Sequence, residues 1–185
     1  EVLRSKPAAR KGNFSADQLQ QQAKFSLMIK FLRPLSPLLN QAYGATAVQM
    51  TGINKAFAYN IMNAVTGAYP AFNINYPKIQ LGQGNLTEAE SLAGSSAAAG
   101  KLSINWADNS GSGSAQAADM AFIAIYCEDL NRWFYKQNAA VRSDGVAALD
   151  FPAFSGKKVQ TYLGFVSAKG KQVSTSLFAG EVSVL

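Results

Sequence analysis

Few residues in this chain could carry chemistry, and they are scattered. The run Gly111–Ser114, Gly-Ser-Gly-Ser, could cradle a phosphate through backbone N–H groups, but the Gly-Lys-Ser/Thr that completes a phosphate loop does not follow. A flexible linker is the reading it supports. Asp108 and Asp119 flank that run and could share a calcium ion. The closely spaced oxygen ligands of a calcium loop are missing between them, so solvated turn acids are favoured. Glu128 and Asp129 precede Leu130-Asn131, and Asp144 lies in Arg142-Ser143-Asp144-Gly145; both are turn contexts. No two carboxylates fall on one face of one element, as paired acid–base hydrolysis of a glycoside requires. Cys127 is the single cysteine, which leaves no disulfide within the chain and no thiolate metal site. It closes the apolar run Ala121–Cys127 and reads as a core thiol. Histidine is absent, and with it Ser-His-Asp and Cys-His catalysis, imidazole metal ligation and the usual neutral-pH proton shuttle. No catalytic residue, cofactor or metal is expected.

Contact chemistry remains. Trp133, Phe134 and Tyr135 are consecutive, so on a strand they point to both faces. Trp133 and Tyr135 are candidate contacts for a sugar or protein partner, beside the plainer reading of core or sheet-edge packing. The opening segment Glu-Val-Leu-Arg-Ser-Lys-Pro is the other candidate: Val2, Leu3, Arg4 and Lys6 could add as an edge strand to their own or a neighbouring sheet. Residues 1–33 hold seven basic groups (Arg4, Lys6, Arg10, Lys11, Lys24, Lys30, Arg33) against Glu1 and Asp17, which is +5 of the total +6. Such an arm can seek nucleic acid, anionic lipid or acidic protein. No aromatic interleaves with these charges before Phe14, so nucleic acid is the weaker expectation and a solvated end the plainer one. The absence of an initiator methionine raises the expectation of a segment upstream.

The elements that must position these residues change period along the chain. Ser15 starts a helix, with Gln18 three residues on as in a capping box. Leu19, Phe25, Met28, Ile29 and Leu32 form its apolar stripe, and Pro34 and Pro37 end it and restart the chain. A second helix is predicted from Thr51 to about Val65, with Ile53, Phe57, Ile61 and Val65 on one face. From Ala71 the period becomes two: Phe72, Ile74 and Tyr76 alternate until Pro77. Asn85–Gly100, rich in Ala, Gly and Ser, reads as punctuation. Six or seven short strands follow, in Lys101–Asp108, Met120–Cys127, Arg132–Gln137, Gly145–Phe151, Val159–Ala168 and Gln172–Val184. Asp108–Asp119 is expected to be a long mobile loop. The apolar runs are far short of the ~20 residues of a membrane helix.

Two strands are apolar on both sides. Met120, Phe122, Ala124 and Tyr126 oppose Ile123, Ile125 and Cys127; Tyr162 and Val166 oppose Leu163 and Phe165. In Leu102–Trp106, by contrast, polar Ser103 and Asn105 back the apolar face. One sheet is therefore wet outside and the other is not. The expected fold is α+β: helices within residues 1–70 lie over an antiparallel sandwich of residues 71–185, covering its Leu163, Phe165, Ile123 and Ile125 side, in one cooperative unit. A second subunit is the alternative cover.

In strand pattern, residues 78–185 resemble a fibronectin type III or immunoglobulin-like sandwich, with Trp106 in the second strand and Tyr162 opening the sixth. The whole chain resembles a domain-of-unknown-function family common in Bacteroidota. The likeness rests on "VLRSKP", "QLQQQAKFSLMIKFLRPLSPLLN", "MTGINKAFAYNIMNAVTGAYPAFNINYPKIQLGQGNL", "WADNSGSG" and "YLGFVSAKGKQVSTSLFAGEVSV". Family members usually carry a further Gly-rich stretch ahead of "VLRSKP", and its absence from the sequence implies processing, truncation or disorder. The resemblance brings no activity, cofactor or catalytic residue. The expectation is a non-enzymatic structural or interaction protein, a subunit of a surface, extracellular or filament-like assembly that associates with itself or with other protein subunits. The alternatives are a glycan- or peptide-binding module and a phage or prophage virion component.

Overall fold

The computed structural model describes residues 14–185. Helix α1 (Ala16–Leu32) begins with the expected capping box: Gln18 N donates to Ser15 Oγ at 3.3 Å and Ser15 N to Gln18 Oε1 at 3.0 Å. At Pro34 the chain tightens into a 3-10 turn (Arg33–Leu35) and restarts as α2 (Ser36–Ala42), with Pro37 in its first turn where a missing N–H costs nothing. Helix α3 (Gly52–Asn63) is capped by Thr51 Oγ1, which accepts from Asn54 N at 3.4 Å. It stops earlier than the periodicity predicts, because Val65 opens a hairpin, β1 (Val65–Ala68) with β2 (Ala71–Ile74).

Seven more strands form two antiparallel sheets. One is ordered β3 (Glu90–Ala98), β4 (Lys101–Ala107), β7 (Val146–Asp150). The other is β6 (Arg132–Lys136), β5 (Met120–Cys127), β8 (Lys158–Val166), β9 (Leu177–Ser183). Three strands against four, with the chain switching sheets after β4, β6 and β7, is the fibronectin type III arrangement. Strand β3 falls inside the stretch read as punctuation. Its sequence, ESLAGSSAA, has no bulky apolar alternation because β3 runs close over β9: a Cβ on Gly94 would sit 2.7 Å from Val182 and 3.2 Å from the Thr161 hydroxyl.

The β5–β8 wall divides two cores. Leu102, Ile104 and Trp106 of β4 meet Ile123, Ile125, Leu163 and Phe165 between the sheets. On the other side Phe122, Ala124, Tyr126, Tyr162 and Val166 pack against Met28, Leu32, Leu35 and Leu39 of α1, the 3-10 turn and α2. The helices therefore cover the sheet, but on the opposite face from the one the sequence pattern assigned. Both faces of β5 and β8 are apolar and buried, so alternation alone does not decide which one the helices cover. Between the sheets Trp106 Nε1 donates to Arg142 O at 2.7 Å. The helical side offers irregular carbonyls, and the amphipathic aromatics use them: Tyr162 Oη donates to Tyr76 O at 3.0 Å and Trp133 Nε1 to Phe31 O at 2.7 Å. The helix stripes shift accordingly. In α1, Met28, Phe31 and Leu32 are buried while Leu19 and Phe25 are exposed; in α3, the buried residues are Gly52, Ala56 and Asn60.

The loop Asp108–Asp119 is pinned, contrary to the mobile loop expected. Thr87 and Ser114 exchange bonds, Thr87 N to Ser114 Oγ at 2.9 Å and Ser114 N to Thr87 Oγ1 at 3.0 Å. Asp108 stays exposed and accepts from Ser110 Oγ at 2.5 Å and from Ser110 N at 3.0 Å, and these bonds hold its carboxyl below the ordinary range. Asp119, expected as a solvated turn acid, is buried and paired with Arg142 at 3.1 Å. Glu128 and Asp129 are exposed turn residues.

Candidate interaction surface

Helix α3 carries more than one apolar side. Ala56 and Asn60 face inward, while Tyr59 and Met62, on the other side of the helix, look out beside the loop that precedes it. That loop presents Val48 and Met50, and it is fixed from within. Thr46 N donates to Tyr43 O at 2.9 Å, Thr46 Oγ1 to Gln83 O at 3.2 Å, and Lys55 Nζ to Thr46 O at 2.6 Å. The last bond folds the lysine back onto the loop. Between loop and helix lies a cleft of ≈ 510 Å³ walled by Val48, Met50, Ala58, Tyr59 and Met62. Val48 is 75% exposed, Met50 51% and Met62 83%.

A second cleft, ≈ 370 Å³, shares Tyr59 and Asn63 with the first and continues past Pro77, Lys78 and Gln80 to Thr175 and Ser176. Three segments distant in sequence converge on it: α3, the stretch after the 3-10 turn Tyr76–Lys78, and the β8–β9 connection. Gln80 is held from beneath by two fully buried polar side chains. Gln80 N donates to Asn60 Oδ1 and Asn60 Nδ2 to Gln80 O, each at 2.8 Å, and Tyr43 Oη donates to the same carbonyl at 2.9 Å. Burial pushes the Tyr43 hydroxyl pKa up, so it is a permanent donor there. Next along the chain, Leu81 N donates to Ser176 Oγ at 2.7 Å.

Trp133 and Tyr135, the candidates named from sequence, line neither cleft. Trp133 joins an aromatic cluster with ring centroids 4.9 Å from Phe31, 5.0 Å from Tyr126 and 5.9 Å from Tyr162, and Tyr135 packs against the same helical core. Phe134 turns the other way and meets Phe151 edge-on at 4.2 Å. Val2, Leu3, Arg4 and Lys6 lie outside the described residues. Sequence reasoning missed Val48, Met50, Tyr59, Met62 and Gln80. The signal for the first four was the apolar surplus in "AVQM" and on the outer side of α3; Gln80 gave none. Among the described residues no group of three or more acidic or cysteine side chains is placed to hold a metal ion. No helix there is long and apolar enough to cross a membrane.

The class is thus an α+β protein in which helices back a fibronectin type III-like β-sandwich. A family model described as "Family of unknown function (DUF6266)" matches residues 1–180, and the chain belongs to that family. Among solved structures, the fn3 domain of human collagen alpha-1(XX) chain is similar at 12% identity, covering 55% of this chain and 89% of that one with a TM-score of 0.42. No curated protein matches.

Proposed function

We infer that this chain is a non-enzymatic interaction protein that associates with a second copy of itself through the Val48–Met62 cleft. It would serve as a subunit of an extracellular or surface assembly, in keeping with the Bacteroidota source expected from the family resemblance. The observation that carries this reading is a ridge and a hollow on one patch. Met62 and Val48 stand out of the surface, and the cleft they border is apolar, with its lysine drawn back to Thr46. Self-complementarity of that kind is what a two-fold contact requires, since the same patch must serve as both partners. Burying a methionine or valine side chain across such a contact is worth roughly 1.5–3 kcal/mol, and leaving several exposed together carries an aggregation risk.

Light scattering of the purified chain over a concentration series tests this. A dimer that Met62→Lys converts to monomer, with an unchanged circular-dichroism spectrum, is the expected result. A strict monomer at the highest concentrations overturns it. An edge strand donated by Val2–Lys6 is a separate route to assembly. Removing residues 1–13 tells the two apart, because the cleft contact survives that truncation.

A further inference from the structure

We propose that the cleft floored by Gln80 is a saccharide-binding site. Gln80 is only 8% exposed, and its side-chain oxygen has no hydrogen-bond partner among the described residues. A buried amide oxygen without a donor is costly, and in a well-packed protein it calls for an explanation. The surroundings supply one. The peptide group of Gln80 is clamped by Asn60 and Tyr43, so the side chain is mounted on a rigid base at the cleft floor, with its oxygen enclosed beneath the surface and unpaired.

The remaining walls define the ligand's chemistry. Asn63 adds a second amide, Tyr59 and Thr175 add hydroxyls, and Pro77 with the Tyr59 ring adds flat apolar surface. Amides and hydroxyls both give and accept hydrogen bonds, as the vicinal hydroxyls of a sugar demand, and a ring face can receive the sugar's C–H side. No carboxylate lines the cleft, which disfavours a cationic ligand or an amino-acid ammonium. One lysine, Lys78, is too little for a phosphate-rich ligand but tolerates a neutral or singly acidic sugar. The ≈ 370 Å³ volume falls within the ~300–1,000 Å³ of small-molecule sites.

The test is a titration of isotope-labelled protein with maltose, N,N′-diacetylchitobiose and galacturonic acid, followed by NMR, with glycerol as the small-polyol control. The expected result is a saturable shift of the Asn63 and Gln80 side-chain amides and of the Thr175 and Ser176 backbone amides with at least one saccharide and not with glycerol. Gln80→Met should weaken that binding about tenfold while leaving the melting temperature equal or higher, because it removes an unpartnered buried oxygen. No shift with any of the three sugars overturns the proposal. So do shifts reproduced by glycerol, and so does undiminished binding in Gln80→Met. A lowered melting temperature in that variant, which shows the amide is satisfied inside the protein, overturns it as well. Met62→Lys leaves this cleft untouched, so a failed dimer and a failed sugar site are read separately.

Discussion

The guanidinium of Arg142 lies 3.8 Å from the centre of the Phe165 ring, so a fully buried cation is roofed by the aromatic face of the strand that walls both cores. Its other contacts reach both ends of the Asp108–Asp119 loop and the segment before β3: Nε donates to Asp119 at 3.1 Å, Nη1 to Asn109 Oδ1 at 2.7 Å and Nη2 to Thr87 O at 2.9 Å. The Arg142 carbonyl accepts from Trp106 Nε1 at 2.7 Å. Burial pulls the guanidinium pKa below its ordinary value, and the Asp119 carboxylate opposes that pull. One residue from a turn therefore fastens the end of the sandwich.

Removing one partner of this pair should cost far more than removing both. Asp119→Ala leaves an uncompensated buried cation and is expected to lose about 3–5 kcal/mol. Asp119→Leu combined with Arg142→Met should recover most of it. Urea denaturation of the single and double variants checks this, and a double variant no better than Asp119→Ala would contradict it.

Gly164 of β8 lies opposite Phe122 of β5. A Cβ there would run into the Phe122 ring, so Gly164→Ala should destabilise by about 1–3 kcal/mol through overpacking. Phe122→Leu in the same chain opens that space and should make the alanine nearly neutral. Chemical denaturation of the four combinations measures the coupling.

Alkaline pH should unfold the protein. Burial raises the pKa values of the Tyr43, Tyr76 and Tyr162 hydroxyls above the ordinary 10.0. In the unfolded chain they ionise near that ordinary value, and in the folded chain they resist. Their contribution is thus fully present below pH 10.0 and is lost as pH rises beyond it. Melting temperatures followed upward from neutral pH should fall steeply past that point. Tyr162→Phe should flatten the fall.

Residues 71–185 are expected to fail as an independent unit. Without the helices, Phe122, Tyr126, Tyr162 and Val166 would form a contiguous apolar face in water. Light scattering and hydrophobic-dye binding of that fragment should show aggregation. A stable monomeric fragment would divide the chain where the composition changes.

Much of this architecture was legible. The capping box at Ser15, the proline stops and the two-sided character of β5 and β8 follow from residue type and period alone. Which side of β8 meets the helices was not legible, because both sides are apolar and the aromatic donors of each side find carbonyls from segments distant in sequence: Tyr76 O for Tyr162 and Phe31 O for Trp133 on the helical side, Arg142 O for Trp106 between the sheets. Strand β3 was hidden because close approach to β9 selects small residues, which look like a linker. Arg142 looked like a turn residue, since nothing in "RSDG" tells that its side chain is threaded into the core. The clefts were hidden for a related reason. Tyr59 and Gln80 are far apart in sequence, and only the tertiary fold makes them neighbours.

Alternation along β8 has a consequence for how this molecule can change. Tyr162 and Leu163 are joined by one peptide bond yet serve different interiors, and the same is true of Ala124 and Ile125. Consecutive codons are thus energetic strangers, while positions forty residues apart are intimates. A substitution on the helical side of β8 therefore meets a different set of partners from one at the next position, which faces the space between the sheets.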